Sequence, residues 1–577
     1  MIDRYTPSAR SSRRPAPVWL LTLALLLVSA EALAQAEWVE RAGGTSQEIA
    51  YGIATDGAGG SFIAGYFFAS MDFDGDGTGE LTSAGSGDIL IARYDGDGNF
   101  LWGRRAGGAG FDIAYAVSSD GEGGAYLAGQ FREGADFDGD GTPDVFSAGA
   151  NDIFLARYDS EGELLWVRDA GGEIFDRAYG VVPDGEGGAF VTGTFIDDAD
   201  FDGDGVADVS GAGSFDVFVA RYDGDGELLW VRSAGSSRDD VSNDIAVDGL
   251  GGVVVAGQIR ESVDFDGDGA ADVVSAGEQD IFAARYDGEG NLVWVRSAGG
   301  ISTDYGYDVA SDGAGGAYVT GYFQINADFD GDGAPDVSSA GDRDIFLAYY
   351  DAAGELVWLR RAGSAASDRG EGIDANVAGN IFLVGRFQAG ADFDEDGTAD
   401  VTSLGVNDIF VAEYDAAGTL VKVSQAGGPE DDRAYSVAVD AAGNAFVTGR
   451  FVADADFTED GTPDVSALGF EDAFVARYGD NPVSVAPSPT AGAAGLALYP
   501  NPTASEARVL VSVPEAGEAT VSVHDALGRR VAVLHDGPLA VGEHSFAFAS
   551  RTLPSGLYIV RAETAAGAVV QRLSVVR

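Results

Sequence analysis

One nine-residue block recurs along this chain at a fixed interval, and that interval limits the possible folds more than any other feature. Asp136-Phe137-Asp138-Gly139-Asp140-Gly141-Thr142-Pro143-Asp144 reads D-F-D-G-D-G-T-P-D, and related blocks start at Asp72, Asp200, Asp264, Asp328, Asp392 and Asp456, each 64 residues after the last. A period of this length marks one supersecondary unit used repeatedly, each copy burying its apolar faces against its neighbours. Other columns keep the step: Trp38, Trp102, Trp166, Trp230, Trp294 and Trp358, with Lys422, the only lysine, in the seventh place. Gly65, Gly129, Gly193, Gly257, Gly321, Gly385 and Gly449 form another column, and Asp88, Asp152, Asp216, Asp280, Asp344, Asp408 and Asp472 a third.

Within the second unit, alternation and β-branched or aromatic enrichment predict four strands at Ile113–Ser119, Gly124–Phe131, Asp152–Asp159 and Leu164–Ala170. Asp120-Gly121-Glu122-Gly123-Gly124 and Asp159-Ser160-Glu161-Gly162 read as hairpin turns between them. The small residues Ala114 and Ala116 suit an innermost strand crowded around an axis. No segment carries a helical period. Four antiparallel strands repeated seven times predict an all-β chain whose main body is a seven-bladed β-propeller. The repeat is offset at its ends. It opens on a lone fourth strand, Glu37-Trp38-Val39-Glu40-Arg41-Ala42-Gly43, and stops after a third strand, Asp472–Tyr478. The N-terminal strand can therefore complete the last blade, which leaves no unpaired sheet edge.

The pattern D-x-A-Y-x-V, then D-G-x-G-G-A-Y-x-x-G-x-F, then A-D-F-D, then A-G-x-x-D-I-F-x-A-R-Y-D-x-x-G-x-L-x-W resembles the SBBP family of propeller repeats, over roughly Glu37 to Tyr478. That resemblance implies a propeller and implies no activity.

Carboxylates at alternate positions followed by glycine wrap oxygen ligands around a hard cation, and the glycines allow the positive φ that so tight a wrap needs. The expected ligands are the side chains at loop positions 1, 3, 5 and 9 and the carbonyl of position 7, which is Thr142 in the second unit. By unit they are Asp72, Asp74, Asp76 and Glu80; Asp136, Asp138, Asp140 and Asp144; Asp200, Asp202, Asp204 and Asp208; Asp264, Asp266, Asp268 and Asp272; Asp328, Asp330, Asp332 and Asp336; Asp392, Asp394, Asp396 and Asp400; and Asp456, Asp460 and Asp464. The seventh loop has Thr458 at position 3 and is the weakest copy. The D-x-D-x-D-G-x-x-D spacing resembles the Ca²⁺ hairpins of integrin α-subunit propellers. It is less like an EF-hand, because position 12 is Ser147 and the flanks read as strand. The chain is thus expected to bind up to seven structural Ca²⁺; the alternative is an acidic rim that only solubilises.

Composition narrows the chemistry further. There is no cysteine, and all three histidines (His524, His535, His544) lie near the C-terminal end, so zinc chemistry and histidine-based hydrolysis are not expected in the repeats. With 34 basic against 94 acidic residues and a formal charge of −60, the chain repels nucleic acid. The acid surplus suits a saline habitat or follows from acidic turns. The tryptophan column is expected to pack between neighbouring sheets, with a sugar-stacking platform as the alternative. The acids opening each first strand (Glu48, Asp112, Asp176, Asp240, Asp304, Asp368, Asp432) are expected to make a structural hydrogen bond, because an active site departs from symmetry. Such departures occur at Arg177, Arg238, Arg369 and Arg433, in the connections on the metal-loop face.

The two ends carry addresses. Arg4, Arg10, Arg13 and Arg14 precede the apolar run Val18–Ala30, and Ala32-Leu33-Ala34 and Ala34-Gln35-Ala36 offer small-x-small cleavage sites, so residues 1–36 read as a signal peptide. The repeats are expected over 37–478. A Pro, Ser, Ala and Gly-rich stretch (479–497) reads as a linker. From Leu498 six or seven short strands predict a small β-sandwich over 498–577. Leu498-Tyr499-Pro500-Asn501-Pro502, Asp525-Ala526-Leu527-Gly528-Arg529, Gly542-Glu543-His544, Leu553-Pro554-Ser555-Gly556-Leu557-Tyr558-Ile559-Val560-Arg561 and Arg572-Leu573-Ser574-Val575-Val576 resemble the type A C-terminal sorting domain of the type IX secretion system. The resemblance implies engagement with that machinery, outer-membrane translocation, and release or surface attachment. No transmembrane helix is expected in the mature chain. The expected function is a secreted or cell-surface, calcium-stabilised binding or structural module for an extracellular protein or glycan. The alternative is a secreted glycan hydrolase or lyase using carboxylates on the metal-loop face.

Overall fold

The computed structural model describes residues 35–376, 378–479, 495–499, 506–513, 516–525, 529–540, 542–549, 556–564 and 567–575. Residues 1–34 of the expected signal peptide and most of the expected linker lie outside them, and Ala36, the last residue of the expected signal peptide, opens the first strand. All of the regular structure described is β-strand, and no described helix is long and apolar enough to cross a membrane.

The first strands in chain order are β1 (Ala36–Gly44), β2 (Glu48–Thr55), β3 (Ser61–Phe67), β4 (Ser70–Asp72), β5 (Leu81–Thr82), β6 (Asp88–Tyr94), β7 (Phe100–Gly108), β8 (Ile113–Ser119), β9 (Ala125–Phe131), β10 (Gly134–Asp136), β11 (Val145–Phe146), β12 (Asp152–Tyr158) and β13 (Leu164–Ala170). The long strands of a unit form an antiparallel sheet, β2-β3-β6-β7 in the first and β8-β9-β12-β13 in the second. The same order recurs in the units whose first strands start at Arg177, Val241, Tyr305 and Arg369. Arg433–Val439, Ala445–Phe451 and Asp472–Tyr478 make three strands of one further sheet. Its fourth strand is β1, with Val39 opposite Ala476 and Arg41 opposite Phe474. First strands pack side by side from unit to unit, β2 on β8 and onward, and Arg433–Val439 packs on β2.

Alternation builds the core. In β12, Phe154 and Ala156 face one neighbouring sheet, where they bury with Phe62, Ile89, Ile91, Leu127 and Phe131. Ile153 and Leu155 face the other, with Val181, Val191 and Phe218. The third strands are therefore apolar on both faces, and each buried Ile, Leu or Phe contributes about 1.5–3 kcal/mol.

The four long strands of the second unit agree with the sequence pattern to within a residue. The pattern missed a two-stranded ribbon at each acidic loop, such as β10 and β11. These strands are only two or three residues long, too short for alternation to register. The ribbon is joined to the preceding unit, because Asp136 of β10 pairs with Gly107 of β7.

Every first strand also contains a β-bulge. In β8 the register shifts between Ala114 and Ala116, leaving Tyr115 out of the ladder. The equivalent shifts set aside Tyr51, Tyr179, Asn243, Tyr307, Glu371 and Tyr435. A bulge bends the strand and re-aims the extra side chain. These seven residues all line one cavity of about 750 Å3 bounded by the first strands.

Towards the C-terminus, Gly495–Tyr499, Glu506–Val513 and Gly542–Ala549 form one sheet, and Arg530–Leu539, Gly517–Asp525, Gly556–Thr564 and Gly567–Val575 another. Val509, Val511, Val521, Val523, Phe548 and Val560 share one core. The first of these strands begins ahead of Leu498, within the stretch expected to be linker. Pro500–Pro502, Ala526–Gly528 and Leu553–Ser555 of the expected sorting motifs lie outside the described residues.

Candidate metal-binding loops

Backbone amides hold each acidic loop in shape. In the second unit the Gly139 N–H donates to Asp136 Oδ1 (2.7 Å) and the Gly141 N–H to Asp136 Oδ2 (2.9 Å). The Asp140 N–H donates to Asp138 Oδ1 (2.9 Å), the Thr142 N–H to Asp140 Oδ1 (2.7 Å) and the Phe137 N–H to Asp144 Oδ2 (2.7 Å). Gly139 and Gly141 carry φ of 78° and 87°, which lets the chain turn back within a few residues. Phe137 is buried between the sheets and anchors the loop, and its carbonyl accepts the buried Tyr158 hydroxyl at 3.0 Å.

The wrap brings carboxylate oxygens to within 4.8 Å of one another in Asp72, Asp74, Asp76 and Glu80; in Asp136, Asp138 and Asp144; in Asp200, Asp202 and Asp208; in Asp264, Asp266 and Asp272; and in Asp328, Asp330 and Asp332. Asp140, Asp204 and Asp268 accept from the amide two residues on, at 2.7, 2.8 and 2.8 Å, as Asp76 and Asp332 also do. Glu80 stands where other loops have Asp and makes the same bond, accepting from the Phe73 N–H at 2.7 Å. An exposed all-oxygen anionic donor set can hold a hard metal ion, and its chemistry fits one.

The last two loops differ. Glu395 and Glu459 occupy the glycine position with φ of 63° and 55°, a conformation that costs a non-glycine residue about 1–2 kcal/mol. Their carboxylates accept from the Arg361 and Gln425 amides, both at 3.1 Å, which ties the loop to the preceding outer strand. In the seventh loop the Thr458 hydroxyl stands where the other loops have a carboxylate, and it donates to Asp464 Oδ1 at 3.3 Å.

The acids that open the first strands are arranged differently. Asp112 is fully buried; Oδ2 accepts from the Gly108 N–H (2.9 Å) and Oδ1 from the Arg132 N–H (2.8 Å). Asp176, Asp240, Asp304, Asp368 and Asp432 make the same pair of bonds, and Glu48 accepts from the Gly44 N–H at 3.0 Å. Burial pushes Asp112, Asp176, Asp240, Asp304, Asp368 and Asp432 up to about 6 and Glu48 to about 8. Burial likewise pushes Asp152, Asp280 and Asp408, at the head of the third strands, up to about 7. Gly107, at φ 128°, sits between the two columns, where a Cβ would lie 2.6 Å from Asp112 and 2.8 Å from Asp88.

The tryptophans pack between units. The Trp102 indole N–H donates to the Ser160 carbonyl of the next unit (3.1 Å), and a Cβ on Gly162 would lie 2.8 Å from its ring. Arg104 lies 5.5 Å from the same ring. The ring is half-buried, wedged against the Gly162 turn of the next unit, as packing between sheets requires.

The cavity wall also holds buried acids. Burial and the facing Asp308 carboxyl push Asp244 far above the carboxylate range. Asp308 accepts from the Ile373 amide (2.8 Å) and Asp374 from the Val439 amide (2.7 Å), which links neighbouring first strands. Of the arginines expected on this face, Arg177, Arg369 and Arg433 open first strands, whereas Arg238 is exposed and paired with Glu261 at 3.2 Å. The bulged column and Arg386 and Arg450 escaped the sequence reading. Their trace is the change at 64-residue steps, Asn243 and Glu371 standing where the other units have tyrosine.

Comparisons with known proteins add to this geometry. Residues 497–576 match a secretion system C-terminal sorting domain. Across 72% of its length the chain is 22% identical to an uncharacterized WD repeat-containing protein of Acanthamoeba polyphaga mimivirus, of which it covers 36%. Over 193 residues (32% of this chain, 20% of the relative) it is 28% identical to the regulatory protein FlaEY of Caulobacter vibrioides. The chain therefore spans only about a third or less of the length of the curated relatives it matches. Among solved structures, PorZ, a surface component of the type-IX secretion system of Porphyromonas gingivalis, is 14% identical, with 92% of this chain and 81% of PorZ covered and a TM-score of 0.26. A puromycin hydrolase mutant is 13% identical, with 81% and 59% covered and a TM-score of 0.38. The fold is all-β and propeller-like, it carries a type IX sorting tail, and the protein is secreted or held at the cell surface.

Proposed function

We propose that residues 37–478 form a closed seven-bladed β-propeller of the SBBP type, stabilised by Ca²⁺ in its acidic loops, and that it works outside the cell as a binding module rather than an enzyme. In this reading a linker (479–497) joins it to a sorting domain (498–577) that engages the type IX machinery. The observation that carries the metal reading is the repeated convergence of loop carboxylates on a shared point, with backbone amides holding the same carboxylates in place. Asp136, Asp138, Asp140, Asp144 and the Thr142 carbonyl would hold one ion, and the equivalent residues the others. A bound cation supplies charge neutralisation. Because Asp136 pairs with Gly107 of the preceding unit, a filled loop stiffens the joint between neighbours. Binding to the folded state alone then stabilises it by mass action. The pairing of β1 with Asp472–Tyr478 and the packing of Arg433–Val439 on β2 support closure.

Calorimetric titration of the chelator-stripped mature chain with CaCl₂ tests the metal reading. Five to seven bound ions per chain are expected, the seventh loop being the weakest. No saturable uptake at millimolar Ca²⁺ would remove the metal from the account.

A further inference from the structure

The columns around the bulges vary while the rest of the unit repeats, and the variation concentrates on one side. Residues opening the first strands pair directly with residues near the ends of the second strands. The pairs are Ile49 with Tyr66, Ile113 with Gln130, Arg177 with Thr194, Val241 with Gln258 and Tyr305 with Tyr322. In the last two units they become Arg369 with Arg386 and Arg433 with Arg450. Like charges placed directly opposite on a ladder are destabilising. Two adjacent arginine pairs in a chain with 34 basic and 94 acidic residues are not what fold stability alone would select.

Some of this charge is balanced. Glu371 Oε1 lies 3.4 Å from Arg386 Nε, Arg433 pairs with Asp431 at 2.7 Å, and Arg450 pairs with Asp431 and Glu471. Among the described residues, Arg369, Arg343 and, in the third unit, Arg177 form no ion pair with a carboxylate. Arg369 donates to the Tyr307 hydroxyl (3.0 Å), and Arg369 and Arg343 lie 5.1 and 4.9 Å from the Tyr322 ring. Arg177 donates to the Tyr179 hydroxyl (3.2 Å) and lies 5.6 Å from the Phe215 ring. Each of the three keeps a buried Nε–H with no hydrogen-bond acceptor, although acceptors are abundant in this chain. A buried donor left unmade costs about 1–3 kcal/mol unless a ligand completes it. Aromatic rings border the same region. Tyr305 stacks on Tyr322 at 5.1 Å, and Tyr66, Phe68 and Phe111 cluster at 5.2–5.7 Å on the far side of the last unit.

We propose that the cluster of Arg369, Arg343 and Arg433 with Tyr305, beside the bulged residues Tyr307 and Glu371 that line the cavity, binds a carboxylated sugar. Guanidinium forks match a carboxylate bidentately, and half-exposed rings suit the flat apolar face of a pyranose. The long-range field of a −60 chain opposes a polyanion, whereas the local arginines dominate within a Debye length of about 8 Å. The ligand is therefore a single acidic sugar unit in an otherwise neutral glycan. This inference rests on the binding-module reading and gives that module a ligand class.

The test is calorimetry of the mature chain in Ca²⁺ with a glucuronic-acid-capped disaccharide and with its neutral glucose analogue, repeated for Arg369→Gln and Arg433→Gln. Saturable binding of the acidic disaccharide, absence of binding by the neutral one, and at least tenfold weakening in both variants are expected. Binding is compared at a temperature where both variants are fully folded, because Arg433→Gln also loses its ion pair with Asp431. Absence of acidic-sugar binding, or equal binding in the variants, overturns the site. If calcium still raises the melting temperature in that case, the module reading survives and only the ligand assignment fails.

Discussion

Two sets of acids share the same 64-residue period and have opposite surroundings. Asp112 and its equivalents are buried, with both oxygens taken by backbone amides. Asp136, Asp138 and Asp144 stand at the end of a ribbon; backbone amides fasten them as well, both Asp136 oxygens included, but their carboxylates also converge within 4.8 Å of one another. Residue type and periodicity are identical, so neither distinguishes scaffold from ligand. What separates them is that the loop carboxylates also converge on one another.

The largest break of this contrast is to remove a buried acid. Asp176→Ala leaves the Gly172 and Ile196 amides without acceptors and should cost about 2–5 kcal/mol whether or not calcium is present, measured by denaturant unfolding. Asp202→Ala should behave in the opposite way. It should be near neutral in chelator, yet it should forfeit about 2.7 kcal/mol when calcium is at a hundred times its dissociation constant. A calcium-independent loss in Asp202→Ala would erase the distinction.

The pH dependence separates the two sets next. The buried acids sit at about 6 to 7 in the folded chain, above the ordinary value of 3.8. The folded state therefore binds more protons between those values, and this contribution is full below about 4 and lost as pH rises through 6 to 7. In chelator the melting temperature should rise as pH falls from 8 to 5. The calcium-dependent increment should shrink over the same range, since ligation needs ionised carboxylates. The smallest effect is a control outside both sets. Trp102→Phe loses the bond to the Ser160 carbonyl and should cost about 1 kcal/mol, unaffected by metal.

The repeat, the long strands and the bond-making role of Asp112 were legible because alternation, turn glycines and sevenfold recurrence are properties of the chain itself. The β10–β11 ribbon was not, because two-residue strands leave no pattern. The bulge at Tyr115 was invisible because Ala114-Tyr115-Ala116 reads as unbroken strand, and its offset exists only relative to β9. Arg386 and Arg450 were missed for a related reason: they face Arg369 and Arg433 only through cross-strand register. The departure of the seventh loop was legible from Thr458, whose hydroxyl donates to Asp464 in place of a loop carboxylate. Glu395 and Glu459 at positive φ ran against the glycine rule, and the preceding strand's amides they cap lie far away in sequence.

The central claim is that the acidic loops are metal clamps on the folded chain, and scanning calorimetry of the mature protein with 5 mM CaCl₂ (about five to fifty times a typical extracellular-site constant) against excess EDTA tests it most directly. A markedly higher melting temperature in calcium, reduced by Asp202→Ala and untouched by Trp102→Phe, is the result expected. The same melting temperature in calcium and in EDTA would contradict it.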